Sequence, residues 1–121
     1  MRFMMMIKAD KNYEAGAPPD ERLMAAIGKL TEEMTKAGVI LETGGLLPSS
    51  KGARVRLAGG KLTVTDGPFA EAKELIGGYA IAQVKSREEA VQMAKDFLKL
   101  HGDILGPSYE GECEIRQMSE W

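Results

Sequence analysis

Gly77-Gly78-Tyr79-Ala80-Ile81-Ala82-Gln83-Val84-Lys85-Ser86-Arg87-Glu88-Glu89-Ala90 carries a strand straight into a helix. Residues 79–84 are an apolar run after two glycines, the composition of a buried strand. Ser86 offers a hydroxyl to the first helical turn, and Glu89 three residues later completes a capping box. Ala90, Met93, Ala94, Phe97, Leu98 and His101 then recur on one helical face, and Gly102 is the expected end. A loop with Gly and Pro leads to a last strand near residues 112–118.

The same grammar appears earlier in the chain. Residues 3–7 form a continuous apolar run that suits a buried strand. Residues 9–18 are polar and read as a loop. Pro18-Pro19-Asp20-Glu21 opens a helix, because proline is tolerated in the first turn and acids complement the helix dipole. Leu23, Ala26, Ile27, Leu30, Met34 and Ala37 follow helical spacing, and Gly38 sits where a glycine cap belongs. Residues 39–47 read as a second strand.

A hairpin follows. Gly59-Gly60 can supply the two positive-φ residues of a tight turn. Folding about it pairs Leu57 with Leu62 and Val55 with Val64 on one face, and Arg54 and Arg56 with Thr65 and Thr63 on the other.

The order is therefore β-α-β, an inserted hairpin, then β-α-β. It predicts an α+β fold: a ferredoxin-like split βαβ with an inserted β-hairpin, over a single domain 1–121. Met4 and Met6 oppose Phe3, Met5 and Ile7 on the first strand. Tyr79 and Ile81 oppose Ala80, Ala82 and Val84. Two helices cover one sheet face, so the other is left apolar, which is unusual on a monomer. A second copy packed sheet on sheet would bury it, giving a homodimer of the dimeric α+β barrel kind.

The chain has 121 residues, 44% hydrophobic and 28% charged, which fits one globular core and argues against disorder. With 16 basic and 18 acidic residues the net charge is −2, so direct nucleic-acid or membrane-surface binding is disfavoured. One cysteine, Cys113, forms no internal disulfide, and nothing in the sequence reads as a membrane span; the expected location is cytoplasmic.

Among chemistry-bearing residues, Asp66-Gly67-Pro68-Phe69 is the sharpest motif. Turn chemistry alone accounts for these residue types. Alternatively, Asp66 at a strand end beside a cleft is a candidate catalytic base. Glu71, Lys73 and Glu74 are a solvated loop or the lining of a polar pocket. His101, the sole histidine, is placed in the last helical turn, with proton transfer as its functional alternative. One histidine and one cysteine leave no multi-His or Cys-pair metal site, and no cofactor is predicted. Tyr13, Tyr79 and Tyr109 can each donate a hydrogen bond, Tyr79 from the face left for the partner or a cavity. No phosphate-cradling glycine loop or nucleophile elbow is present.

Gly44-Gly45-Leu46, Thr65-Asp66-Gly67-Pro68-Phe69-Ala70-Glu71-Ala72-Lys73-Glu74 and Gly77-Gly78-Tyr79 together resemble the DGPF branch of the YCII-related family. The resemblance implies a ferredoxin-like fold that dimerises into an α+β barrel. It implies a site in the dimer-interface cleft, with Asp66, Phe69, Glu71, Lys73 and Glu74 as motif residues. It also implies an association with sigma-factor regulation. Other branches carry a first-helix His that acts with an Asp; that position falls near Ile27 here. Two functions are expected from this reading. One is a small-molecule-binding dimer, with Tyr79, Phe69, Glu71, Lys73 and Glu74 lining the cleft. The other is a cofactor-independent acid–base enzyme (isomerase, lyase or small oxygenase) with Asp66 as base and His101 or Tyr79 assisting.

Overall fold

A computed structural model describes residues 1–69 and 75–120. The elements run β1 (Arg2–Lys8), α1 (Lys11–Glu14), α2 (Glu21–Lys36), β2 (Ile40–Gly45), a 3-10 turn (Ser49–Lys51), β3 (Ala53–Ala58), β4 (Lys61–Asp66), β5 (Ile76–Gln83), α3 (Arg87–Leu105) and β6 (Cys113–Gln117). The main sheet has the order β2-β5-β1-β6, with every neighbouring pair antiparallel. β1 and β2 are thus mutually parallel with β5 between them, and β5 and β6 are parallel with β1 between them. These are two interleaved split βαβ units, the ferredoxin-like α+β fold expected from the sequence.

Register assigns the faces. Phe3 lies opposite Ala82 and Met5 opposite Ala80, while Met4 meets Ile81 and Met6 meets Tyr79. The first set faces the helices. Phe3, Met5, Ala82, Val84, Ala90 and Ala94 form the core cluster. Burying Phe3 and Met5 contributes about 1.5–3 kcal/mol each. Ala90 and Ala94 meet Ala82, so small side chains on both partners let α3 sit close to the sheet. On α2, by contrast, Leu23 is the buried residue; Ala26, Ile27, Leu30 and Met34 along the apolar stripe are half-buried and Ala37 is exposed.

Local chemistry explains the element ends. Asp20 caps α2 by accepting from the Leu23 amide at 3.0 Å. At the other end Gly38 takes φ 77°, and the Gly38 and Val39 amides donate to Thr35 O and Met34 O. This is a Schellman closure, which glycine adopts without strain. Ser86 Oγ accepts from the Glu89 amide at 3.1 Å, one half of the expected capping box, while the Glu89 carboxylate accepts from the Lys85 amide, one residue before the cap, at 3.1 Å.

Four boundaries differ by more than one residue from the sequence expectation, the first being the second strand, which ends at Gly45 rather than at residue 47. The polar segment 9–18 contains a helical turn, α1, because the Asp10 carboxylate accepts from the Tyr13 amide at 2.7 Å. Gly102 does not end the second long helix. That helix continues to Leu105 and stops at Gly106, where φ is 97°. A helix-interior glycine costs about 1 kcal/mol, which a packed helix absorbs, whereas the positive φ at Gly106 ends the run. His101 is therefore about one turn short of the helix end. Finally, Gly77 and Gly78 lie inside β5 rather than before it, and Gly78 pairs with Ile7 on one side and Gly45 on the other.

The hairpin follows its predicted register throughout: Leu57 pairs with Leu62, Val55 with Val64, Arg54 with Thr65 and Arg56 with Thr63. Gly59 and Gly60 take φ 57° and 75° at the turn. β3 and β4 form a separate two-stranded sheet, and Val55, Leu57, Leu62 and Val64 remain 67–69% exposed on one face. No helix among the described residues is long and apolar enough to cross a membrane.

Candidate functional site

A cavity of about 720 Å³ lies between α2, α3 and the helix-facing side of β1, β2 and β5. Its volume falls within the 300–1,000 Å³ range of small-molecule sites. Met5, Ile27, Leu30, Met34 and Phe97 give apolar walls. Asp10, Tyr13, Asp20, His101 and Tyr109 gather toward one end, where the α1 region and the segment after α3 close it.

The two carboxylates are already engaged. Asp10 caps α1, and Asp20 caps α2 while pairing with Arg22 at 3.5 Å. The Leu23 amide, aided by Arg22, holds the Asp20 carboxyl below its usual range. Lys8, the cation of the wall, pairs with Glu114 at 3.5 Å. Burial raises the Tyr109 hydroxyl above the usual phenol value, and the nearby Asp10 charge adds to the shift. Burial likewise raises Tyr13, with Glu14 as the second cause. Cys113, half-buried on the cavity wall, is pushed up to about 11 by the same desolvation.

His101 is the most buried of these polar groups, at 8% exposure. Its ring tilts against Phe97 at 4.6 Å between centroids and stacks on Tyr109 at 5.3 Å. Nδ1 lies 2.8 Å from the Phe97 carbonyl oxygen. Tyr109 is in turn held against Gly111, where a Cβ would run into its hydroxyl and ring.

The DGPF turn is built separately. Glu14 accepts from the Ser49 amide and from Ser49 Oγ at 2.9–3.1 Å, and Ser49 Oγ accepts from the Phe69 amide at 3.0 Å. The Gly67 amide donates to Gly52 O, and the Arg54 guanidinium lies 3.9 Å from the Phe69 ring centroid. Asp66 closes β4 opposite Ala53, exposed, and is not among the cavity-lining residues. Tyr79 lies over Gly44 across the β2–β5 pair, where a Cβ would sit 3.1 Å from its Cε1.

The structure thus brings His101 to the cavity lining; Tyr79 borders the cavity from β5 with its ring on the outer sheet face over Gly44, and Asp66 and Phe69 lie outside it. Glu71, Lys73 and Glu74 lie outside the described residues. Sequence reasoning passed over Asp10, whose signal was its position before a four-residue helical turn. It named Tyr109 only as one of three tyrosines able to donate a hydrogen bond, without linking it to His101. Among the described residues, no group of three or more His, Cys, Asp or Glu is placed to hold a metal ion.

Two comparisons bear on this arrangement. A family model described as "YCII-related domain" matches residues 1–97. An uncharacterized protein of Rhizobium meliloti (strain 1021) is 34% identical over 100 residues, covering 83% of this chain and 76% of the relative. His101 and Tyr109 lie beyond the stretch matched by the family model.

Proposed function

The chain belongs to the YCII-related family, and we propose that it binds a small, largely apolar molecule in the cavity beneath α2. The observation that carries this reading is the apolar cavity itself, with a few convergent polar groups at one end. The direct test is native mass spectrometry of the purified protein, followed by ligand-induced shifts in melting temperature. Retention of an extra small mass, or stabilisation by apolar compounds that Ile27→Trp abolishes, supports the reading. A protein that no apolar compound stabilises speaks against it.

The working unit of this reading is a homodimer in the cytoplasm. Its support is the outer sheet face, where Met4, Met6, Tyr79 and Ile81 adjoin in register, together with the exposed aliphatic face of the hairpin. A two-fold pairing would bury the same apolar surface on both copies. An association with a sigma factor, implied by the DGPF resemblance, would make ligand occupancy the regulated event. An acid–base enzyme is the second reading, and it is favoured by the burial of His101 against the cavity.

A further inference from the structure

We infer that His101 Nε2 is the recognition atom of the cavity, and that the ligand is a neutral, flat apolar molecule donating a phenol- or enol-type hydroxyl to it. This rests on the ligand-binding reading above. The carbonyl oxygen of Phe97 can only accept, so the Nδ1 that lies 2.8 Å from it carries the proton. In the neutral ring Nε2 then holds the lone pair. Among the described residues, Nε2 has no hydrogen-bond partner, yet no sealed side-chain nitrogen or oxygen is left without one. Nε2 therefore opens onto the cavity that His101 lines. Phe97 and Tyr109 both pack against the ring and the Phe97 carbonyl holds Nδ1, so the acceptor is fixed in direction before any ligand arrives.

The surroundings narrow the ligand further. A carboxylate would meet the Asp10 and Asp20 charges, while Lys8 is occupied by Glu114. A cation would have to shed its hydration against walls that are mainly apolar, and Asp20 is already paired with Arg22. The apolar walls and the Phe97–His101–Tyr109 ring group favour a flat apolar body. What remains is a neutral molecule with one donor.

The probes are 2-naphthol, its methyl ether 2-methoxynaphthalene, and naphthalene, titrated by calorimetry into the full chain and into His101→Phe. That substitution keeps a ring against Phe97 and Tyr109 but removes the acceptor. In the unsubstituted protein 2-naphthol should bind about tenfold more tightly than its ether. In His101→Phe the two affinities should converge near that of the ether. Equal affinities in the unsubstituted protein, or a preference that survives His101→Phe, overturns the assignment while leaving the cavity reading intact. Binding of none of the three probes overturns both. Nitrogen NMR of the single histidine needs no variant: the Nε2 resonance should move with 2-naphthol and stay in place with the ether. A resonance unmoved by bound 2-naphthol overturns the assignment.

Discussion

The carbonyl oxygen of Ser49 stands against Gly67, in the space that a side chain on Gly67 would need. Ser49 is in turn pinned by Glu14, so the obstruction is backbone held in place rather than a side chain free to swing. Gly67→Ala should therefore destabilise the protein by about 1–3 kcal/mol, as overpacking does. Thermal unfolding followed by circular dichroism checks this, and an unchanged melting temperature would show that the 3-10 turn yields easily.

Gly38→Ala forces a side chain into the left-handed conformation that closes α2. A loss of about 1 kcal/mol is expected. Urea titration should show a lower midpoint with an unchanged slope, because the surface exposed on unfolding stays the same.

Cys113 should be slow to react with iodoacetamide near about pH 8, since the thiolate is the nucleophile and burial keeps the thiol protonated. The sign of the linkage follows. The folded value, about 11, is above the ordinary 9.0, so the folded state holds the proton more tightly. The stability due to this group is complete below the ordinary value and is lost as pH climbs from about 9 to 11. The raised Tyr109 and Tyr13 hydroxyls act in the same direction. Alkylation rates compared in native buffer and in urea provide the measurement. Equal rates would mean that Cys113 is open to solvent.

The hairpin offers a clean probe of assembly, because its aliphatic residues lie outside the core cluster. A Leu57→Lys/Leu62→Glu pair keeps complementary charges opposite each other and so preserves the hairpin. Sedimentation velocity at micromolar concentration should give a dimer for the natural sequence and a smaller species for the double variant. A natural sequence that sediments as a monomer removes the dimer from the proposal.

Gly111→Ala places a Cβ where the Tyr109 ring lies. The ring can swing away, so folding should survive while the stack on His101 is lost. Naphthol binding should weaken with little change in melting temperature. Retained affinity would show that Tyr109 takes no part in orienting His101.

Much of this molecule is legible residue by residue. The hairpin register followed from two glycines and matching alternation on either arm. The caps at Asp20, Gly38 and Ser86 were readable because each rests on atoms within a few residues of one another. The outer apolar face was readable from strand periodicity, which assigns Met4 and Met6 opposite Phe3 and Met5 without reference to anything distant. Where one local signal competed with another, the reading slipped. Gly102 resembled a stop, but the following residues continue the helix and Gly106 has the required φ.

The candidate site was another matter. The DGPF motif drew attention to Asp66, yet the structure shows Gly67 and Phe69 packed against Ser49, with Asp66 exposed at a strand end. Ser49 and Glu14 are 35 residues apart, and no local pattern links them. Strands, helices, turns and the two-faced sheet were determined by the sequence itself, since periodicity and backbone preference act over a few residues. The cavity under α2 and the fixing of His101 against Phe97 and Tyr109 were decided in three dimensions. They depend on how closely each helix approaches the sheet, and that distance is set by side chains from separate elements meeting across the core.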